Sequence, residues 1–180
     1  DYQQRLNVLD GDGIAGEIIF PDGITQQNAP PFGAGLALPT KNIDADLQWA
    51  GARAHNRWLA ELCANNPQRH FGIAVCPLLW NIDEAIKEVQ FASENGLGGM
   101  LIPLLTQGFK PYHHPHYDPF WQACEDRGLV VCFHSGAAPM EEFFGEGFPD
   151  SDQANYPGAV GIYISEVFFW TYRPLIFMLW

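Results

Sequence analysis

Gly128-Leu129-Val130-Val131-Cys132-Phe133-His134-Ser135-Gly136 is the stretch whose reading decides the fold. Five apolar residues run without a break and deliver a histidine into a Ser-Gly turn. An apolar run of this length, rich in Val and bounded by glycine, predicts a strand buried on both faces. Such strands belong to parallel sheets covered by helices, and the chemistry of those folds gathers at the carboxyl ends of the strands. His134 stands at that end. An imidazole there suits metal ligation or acid–base work, and Gly136 lets the backbone turn away above the ring. The plainer alternative is a histidine hydrogen-bonded within the mouth of the sheet.

Working outward, the same unit repeats. Asp118 as a cap with Pro119 at the first position predicts a helix with Phe120, Trp121 and Cys124 inward, stopped by Gly128. Before it, Gly99-Met100-Leu101-Ile102 reads as a strand closed by Pro103. Asn81 followed by Glu84 predicts a capped helix with Ile82, Ala85, Ile86 and Val89 on its apolar face, ended by Asn95-Gly96. His70 to Cys76 is a further strand, closed by Pro77. A long helix is expected from about Ile43 to Ala64, with Leu47, Ala50, Ala54, Trp58 and Leu62 as its apolar stripe. Gly16 to Phe20 reads as a short strand, preceded by the end of a helix carrying Leu6, Leu9 and Ile14. Residues 21–40 and 135–157 are Gly- and Pro-rich loops. A last, Pro-kinked helix is expected over about Val160 to Trp180. Glu166 and Arg173-Pro174 interrupt it, so it falls short of the ~18–20 apolar residues that span a bilayer.

Strand and helix thus alternate, which implies a parallel sheet. Three strands end near residues 77, 103 and 134, close to the roughly 30 residues per unit of an eight-fold barrel. The expectation is an α/β fold: a partial (β/α)8 TIM barrel over residues 1–180, a single incomplete domain. Closing it would take on the order of a hundred further residues. The uncapped run Leu175 to Trp180 and the opening Asp1 fit an internal piece of a longer protein. The rival is a doubly wound open sheet binding a cofactor, but no strand here is followed by G-x-G-x-x-G.

Composition narrows the partners. With 9 basic and 21 acidic residues the formal net charge is -12, which argues against nucleic acid and against an anionic membrane. Cys63, Cys76, Cys124 and Cys132 form no C-x-x-C pair and sit in apolar surroundings. They read as free thiols in a reducing compartment, hence a cytoplasmic protein, and not as a zinc site.

Other candidates are weaker than His134. His113-His114-Pro115-His116 looks like a metal tract, but Pro111-Tyr112 precede it where a strand would be needed to aim two rings the same way, so it reads as loop. Asp22, Glu141, Glu142 and Glu146 lie in loops on the expected face and default to solvated charge. His55 and His70, on a helix and at a strand start, read as structural, because the amino ends of barrel strands are the stability end. No G-x-S-x-G elbow is present.

Arg57-Trp58-Leu59 through Pro77-Leu78, then Tyr117-Asp118-Pro119-Phe120-Trp121 with Cys124-Glu125-Asp126, then Phe133-His134-Ser135-Gly136 resemble the metal-dependent amidohydrolase-related TIM-barrel proteins, the hydrolases and decarboxylases that include 2-amino-3-carboxymuconate-6-semialdehyde decarboxylase. Val8-Leu9-Asp10 through Ile19-Phe20-Pro21 resembles that family's run into its second strand. The resemblance implies that the chain holds roughly strands 2 to 5 and that His134 matches the fifth-strand metal ligand. The family's H-x-H pair would lie before Asp1, and its later His and Asp after Trp180. It further implies a divalent metal, zinc or manganese, and a small-molecule substrate that is hydrolysed or decarboxylated. Phe32, Phe143 and Phe144, joined by Phe148, would suit a flat aromatic or cyclic carboxylate. One ligand cannot hold a metal that needs three or four, so the 180 residues alone are expected to be inactive. A homo-oligomeric state is compatible with the family. The reading from another class is a non-catalytic βα scaffold or binding domain that has lost its metal.

Overall fold

A computed structural model of the chain describes residues 2–21, 45–103 and 109–133. Helix α1 (Tyr2–Gly11) leads into strand β1 (Glu17–Ile19). Then follow α2 (Ala45–Ala64), β2 (His70–Val75), α3 (Ile82–Glu94) and β3 (Gly99–Leu101). A short 3-10 turn (Pro115–Tyr117) runs directly into α4 (Asp118–Asp126), and β4 (Val130–Cys132) closes the described part. The four strands form one parallel sheet in the order β1-β2-β3-β4. A doubly wound sheet reverses its strand order at a switch point, whereas barrel strands follow one another in sequence. The described order is therefore that of a segment of a (β/α)8 barrel. The expected loop 21–40 and the expected last helix lie outside the described residues, apart from Pro21.

Register sorts the strand residues onto two faces. Ile18, Phe71, Ile73, Leu101, Val130 and Cys132 share one face, through the pairings Ile18↔Phe71, Ile73↔Gly99, Gly99↔Val130 and Leu101↔Cys132. Ile19, Ala74, Cys76, Met100, Ile102 and Val131 pack on the opposite face into the main core with the helices. Gly72 is on that helix-facing side. A Cβ there would come within 2.7 Å of Leu97 Cδ2, 2.9 Å of Cys63 Sγ and 3.0 Å of the Leu59 side chain. Gly72→Ala is expected to lower stability by about 1–3 kcal/mol through overpacking, read as a drop in the urea midpoint; an unchanged midpoint would show that α2 can shift outward without loss.

Two expectations about burial are corrected. β4 is not buried on both faces: Val130 is 53% exposed and Val131 and Cys132 are half-buried. Val130 shares its face with Ile18 and Phe71, which are exposed too, so that face of the sheet is open among the described residues. In α2 the inward stripe is Trp49, Ala52, Asn56, Leu59, Ala60 and Cys63, with Leu62 also buried. Of the expected stripe only Leu62 is buried; Leu47 is 70% and Trp58 49% exposed, and Ala50 and Ala54 are exposed as well. The buried stripe holds Asn56 because its amide pairs with the Val75 backbone of β2.

The expected punctuation holds in most places. Asn81 Oδ1 accepts from Glu84 N at 3.1 Å, Asn95 caps α3, and Gly96 and Gly128 take φ of 73° and 65° after their helices. Asp118 is not the N-cap of α4. It has helical dihedrals, and Tyr117 precedes the helix without a side-chain cap, because the 3-10 turn merges with α4.

Candidate functional site

The carboxyl ends of the four strands are Phe20-Pro21, Cys76-Pro77, Ile102-Pro103 and Phe133, the last described residue. Prolines follow three of them and end each ladder, since proline has no N–H to donate. Around these ends lies an aromatic layer. Tyr112 is wholly buried; its hydroxyl donates to the Pro103 carbonyl at 2.6 Å, and Trp121 Nε1 donates to the Tyr112 carbonyl at 3.3 Å. Its ring meets Tyr117 edge-on at 5.2 Å and lies 5.9 Å from Phe133. Burial, reinforced by the neighbouring Tyr117 and Cys76, pushes the Tyr112 hydroxyl well above its usual range. Through that hydrogen bond to Pro103, Tyr112 pins the chain after β3. Trp80 and Phe109, which follow β2 and β3, meet edge-on at 5.7 Å.

Behind this layer lies a buried polar network at the end of β2. Asn56 Nδ2 donates to the Val75 carbonyl and to Glu88 Oε1, both at 2.9 Å, and Val75 N donates to Asn56 Oδ1 at 2.7 Å. Arg57 pairs with the same Glu88 carboxylate, whose side chain is 3% exposed, and lays its guanidinium over the Phe91 ring at 3.7 Å. A buried charge survives only when paired and hydrogen-bonded, and Glu88 is both. Sequence reading missed this network. Its signal was Glu88 on the apolar face of α3, between Ala85 and Ala92.

The other candidates sort as follows. His70 is structural as expected: its side chain is buried at the amino end of β2, with Nδ1 2.9 Å from Glu17 Oε1, and Glu17 is held below its usual range chiefly by Arg5. His55 is half-buried on α2 against Trp58, and burial lowers its pKa. His113 to His116 form a turn, with His114 Nδ1 accepting from His116 N at 3.0 Å. All four cysteines are free; burial raises each thiol, that of Cys124 to about 12. His134, Phe32, Phe143, Phe144, Asp22, Glu141, Glu142 and Glu146 lie outside the described residues. Among the described residues no group of three or more His, Cys, Asp or Glu can hold a metal ion, so these residues by themselves do not fit one. No described helix is long and apolar enough to cross a membrane.

A family model described as amidohydrolase matches residues 26–172. The chain belongs to the amidohydrolase family. Within it, the gamma-resorcylate decarboxylases of Rhizobium radiobacter and Rhizobium sp. (strain MTP-10005) are each 30% identical to this amidohydrolase chain over 152 residues, 81% of it and 42% of their own length. The chain thus spans less than half of the curated relatives it matches. A solved 2,6-dihydroxybenzoate decarboxylase from Rhizobium superimposes with a TM-score of 0.60 at 28% identity, over 81% of this chain and 43% of that one. A dihydroxybenzoic acid decarboxylase from Polaromonas sp. JS666, solved with manganese and 2-nitroresorcinol, shares the fold at 21% identity and a TM-score of 0.57, over 92% of this chain and 42% of that one.

Proposed function

We propose that the complete protein containing this chain is a divalent-metal-dependent, non-oxidative decarboxylase of a small hydroxylated aromatic carboxylate, with 2,6-dihydroxybenzoate as the first candidate. The observation that carries this reading is the 30% identity to gamma-resorcylate decarboxylases over 81% of the chain. It favours carboxy-lyase over hydrolase within the family. Manganese is the preferred metal, supported by the manganese in the Polaromonas relative; zinc is the alternative. When bound, such an ion supplies positive charge against a carboxylated substrate. That charge is needed, because a chain of net charge -12 does not attract an anion.

His134 is the metal ligand this chain contributes. Cys132 lies on the face it shares with Leu101 and Ile73. His134 comes two residues after Cys132 in the sequence, just past the carboxyl end of β4. Phe32, Phe143 and Phe144 are the proposed contacts to the substrate ring. Residues 1–180 form one incomplete barrel domain and do not turn over substrate alone. Free thiols support a cytoplasmic location.

The test uses the complete protein, stripped of metal and reloaded with manganese or zinc. Release of CO2 from 2,6-dihydroxybenzoate, dependent on added metal, is the expected result. No release with either metal, together with no bound metal after loading, would favour the non-catalytic scaffold.

A further inference from the structure

We propose that Asn56 is a positioning residue for the mouth of the site, standing in for a barrel strand at the carboxyl end of β2. β1 ends at Ile19, opposite Gly72, whereas β2 runs on to Val75. Along a parallel strand, successive residues turn their backbone groups to alternate neighbours. Cys76 N donates to the Leu101 carbonyl on the β3 side. The N–H and C=O of Val75 therefore face the β1 side, which no described strand covers at this level. The Asn56 amide occupies that side and answers both groups, as a neighbouring strand would. Its second amide proton goes to Glu88, which Arg57 holds in turn. A leucine of similar size would leave both Val75 groups unpaired in the core.

The site consequence follows from what comes next in the chain. Beyond Val75 the backbone turns at once: Leu78 N donates to the Cys76 carbonyl at 2.8 Å and Trp80 N to the Pro77 carbonyl at 3.2 Å. Trp80 then packs on Val75 and Ala52 and against Phe109. This turn lies on the side of the sheet where a barrel takes its substrate. Asn56 fixes its root, and through it the Trp80 wall of the mouth. The effect on turnover rests on the decarboxylase reading; the hold on the turn does not.

The experiment compares Asn56→Ala with Leu59→Ala in the complete, manganese-loaded protein. Leu59 is an equally buried residue of the same helix, packed against Gly72, lower on β2. Both variants are assayed at a temperature where circular dichroism shows them folded. Asn56→Ala is expected to raise KM for 2,6-dihydroxybenzoate by about tenfold or more and to speed amide exchange over residues 75–80, with Leu59→Ala doing neither. The double variant Asn56→Asp/Glu88→Gln reverses donor and acceptor between the two side chains and is expected to recover part of the KM loss. An unchanged KM in folded Asn56→Ala, or an equal rise in Leu59→Ala, overturns the positioning role. Wild-type protein that releases no CO2 sinks the decarboxylase reading alone. Exchange over 75–80 then decides the proposal, and unchanged protection in Asn56→Ala overturns it.

Discussion

Asn56→Asp is expected to lower stability by about 3–5 kcal/mol at pH 7, a large share of the ~5–15 kcal/mol that holds a domain folded. The change removes two amide protons and adds a charge where none is exposed to water. One carboxylate oxygen would replace the Nδ2 that now lies 2.9 Å from both the Val75 carbonyl and Glu88 Oε1. Burial and the Glu88 charge both disfavour ionisation there, so the introduced carboxyl has a folded pKa above its unfolded value of about 3.9. The folded state then binds more protons than the unfolded state between those two values. Stability of the variant should therefore recover, relative to wild type, as pH falls from 7 towards 4. Urea midpoints at pH 7 and pH 5 check both parts. A loss under about 1 kcal/mol at pH 7 would mean that Asn56 is not locked between β2 and α3. A loss that does not shrink at pH 5 would mean that the damage comes from the missing donors and not from the charge.

This network also shows where sequence reading runs out. β2 and β3 are legible within a residue because proline and glycine punctuate them and their apolar runs are continuous. The cap at Asn81 is legible for the same kind of reason: a local hydrogen bond leaves a local signature. α2 is a different case. It carries alanine on every side, so two stripes of i, i+3 and i+4 spacing compete, and the one with Leu47 and Trp58 looks the more apolar. The stripe that wins contains Asn56 and the small Ala52, because contact with β2 rewards close approach and backbone pairing over side-chain area. Neither reward is visible until the strand partner is known. Glu88 is hidden likewise: its partners Asn56 and Arg57 lie some thirty positions away in the chain. The parallel α/β architecture was legible because it depends on alternation alone. The aromatic layer around Tyr112 and the Asn56 network left no such local signature, because their partners meet only in the fold.

His134→Ala in the complete protein is expected to cut bound manganese and decarboxylation together, turnover by at least about a hundredfold. Loss of a partner that merely orients a ligand costs 10–100-fold in metal affinity or activity, so loss of a ligand should cost no less. The residue carries this expectation through its place after β4 in the sequence and through the family match. In the sequence it comes two residues after the end of β4, and barrel chemistry gathers at the carboxyl ends of strands. Two steps before it, Cys132 lies against Leu101 and Ile73 on the face away from the main helix-packed core. And the matched family segment, residues 26–172, includes it. The two measurements separate its roles. Metal retained with turnover lost would make the imidazole an acid–base group beside the ion. Metal and turnover both retained would return His134 to a structural histidine in the mouth and leave the ion, if bound, to ligands from elsewhere in the protein. Fold stability is the control, and it should barely move. The main core lies on the helix-facing side of the sheet, around Leu59, Met100, Tyr112 and Phe120. A substitution that empties the site without melting the sheet is what separates a ligand from a core residue.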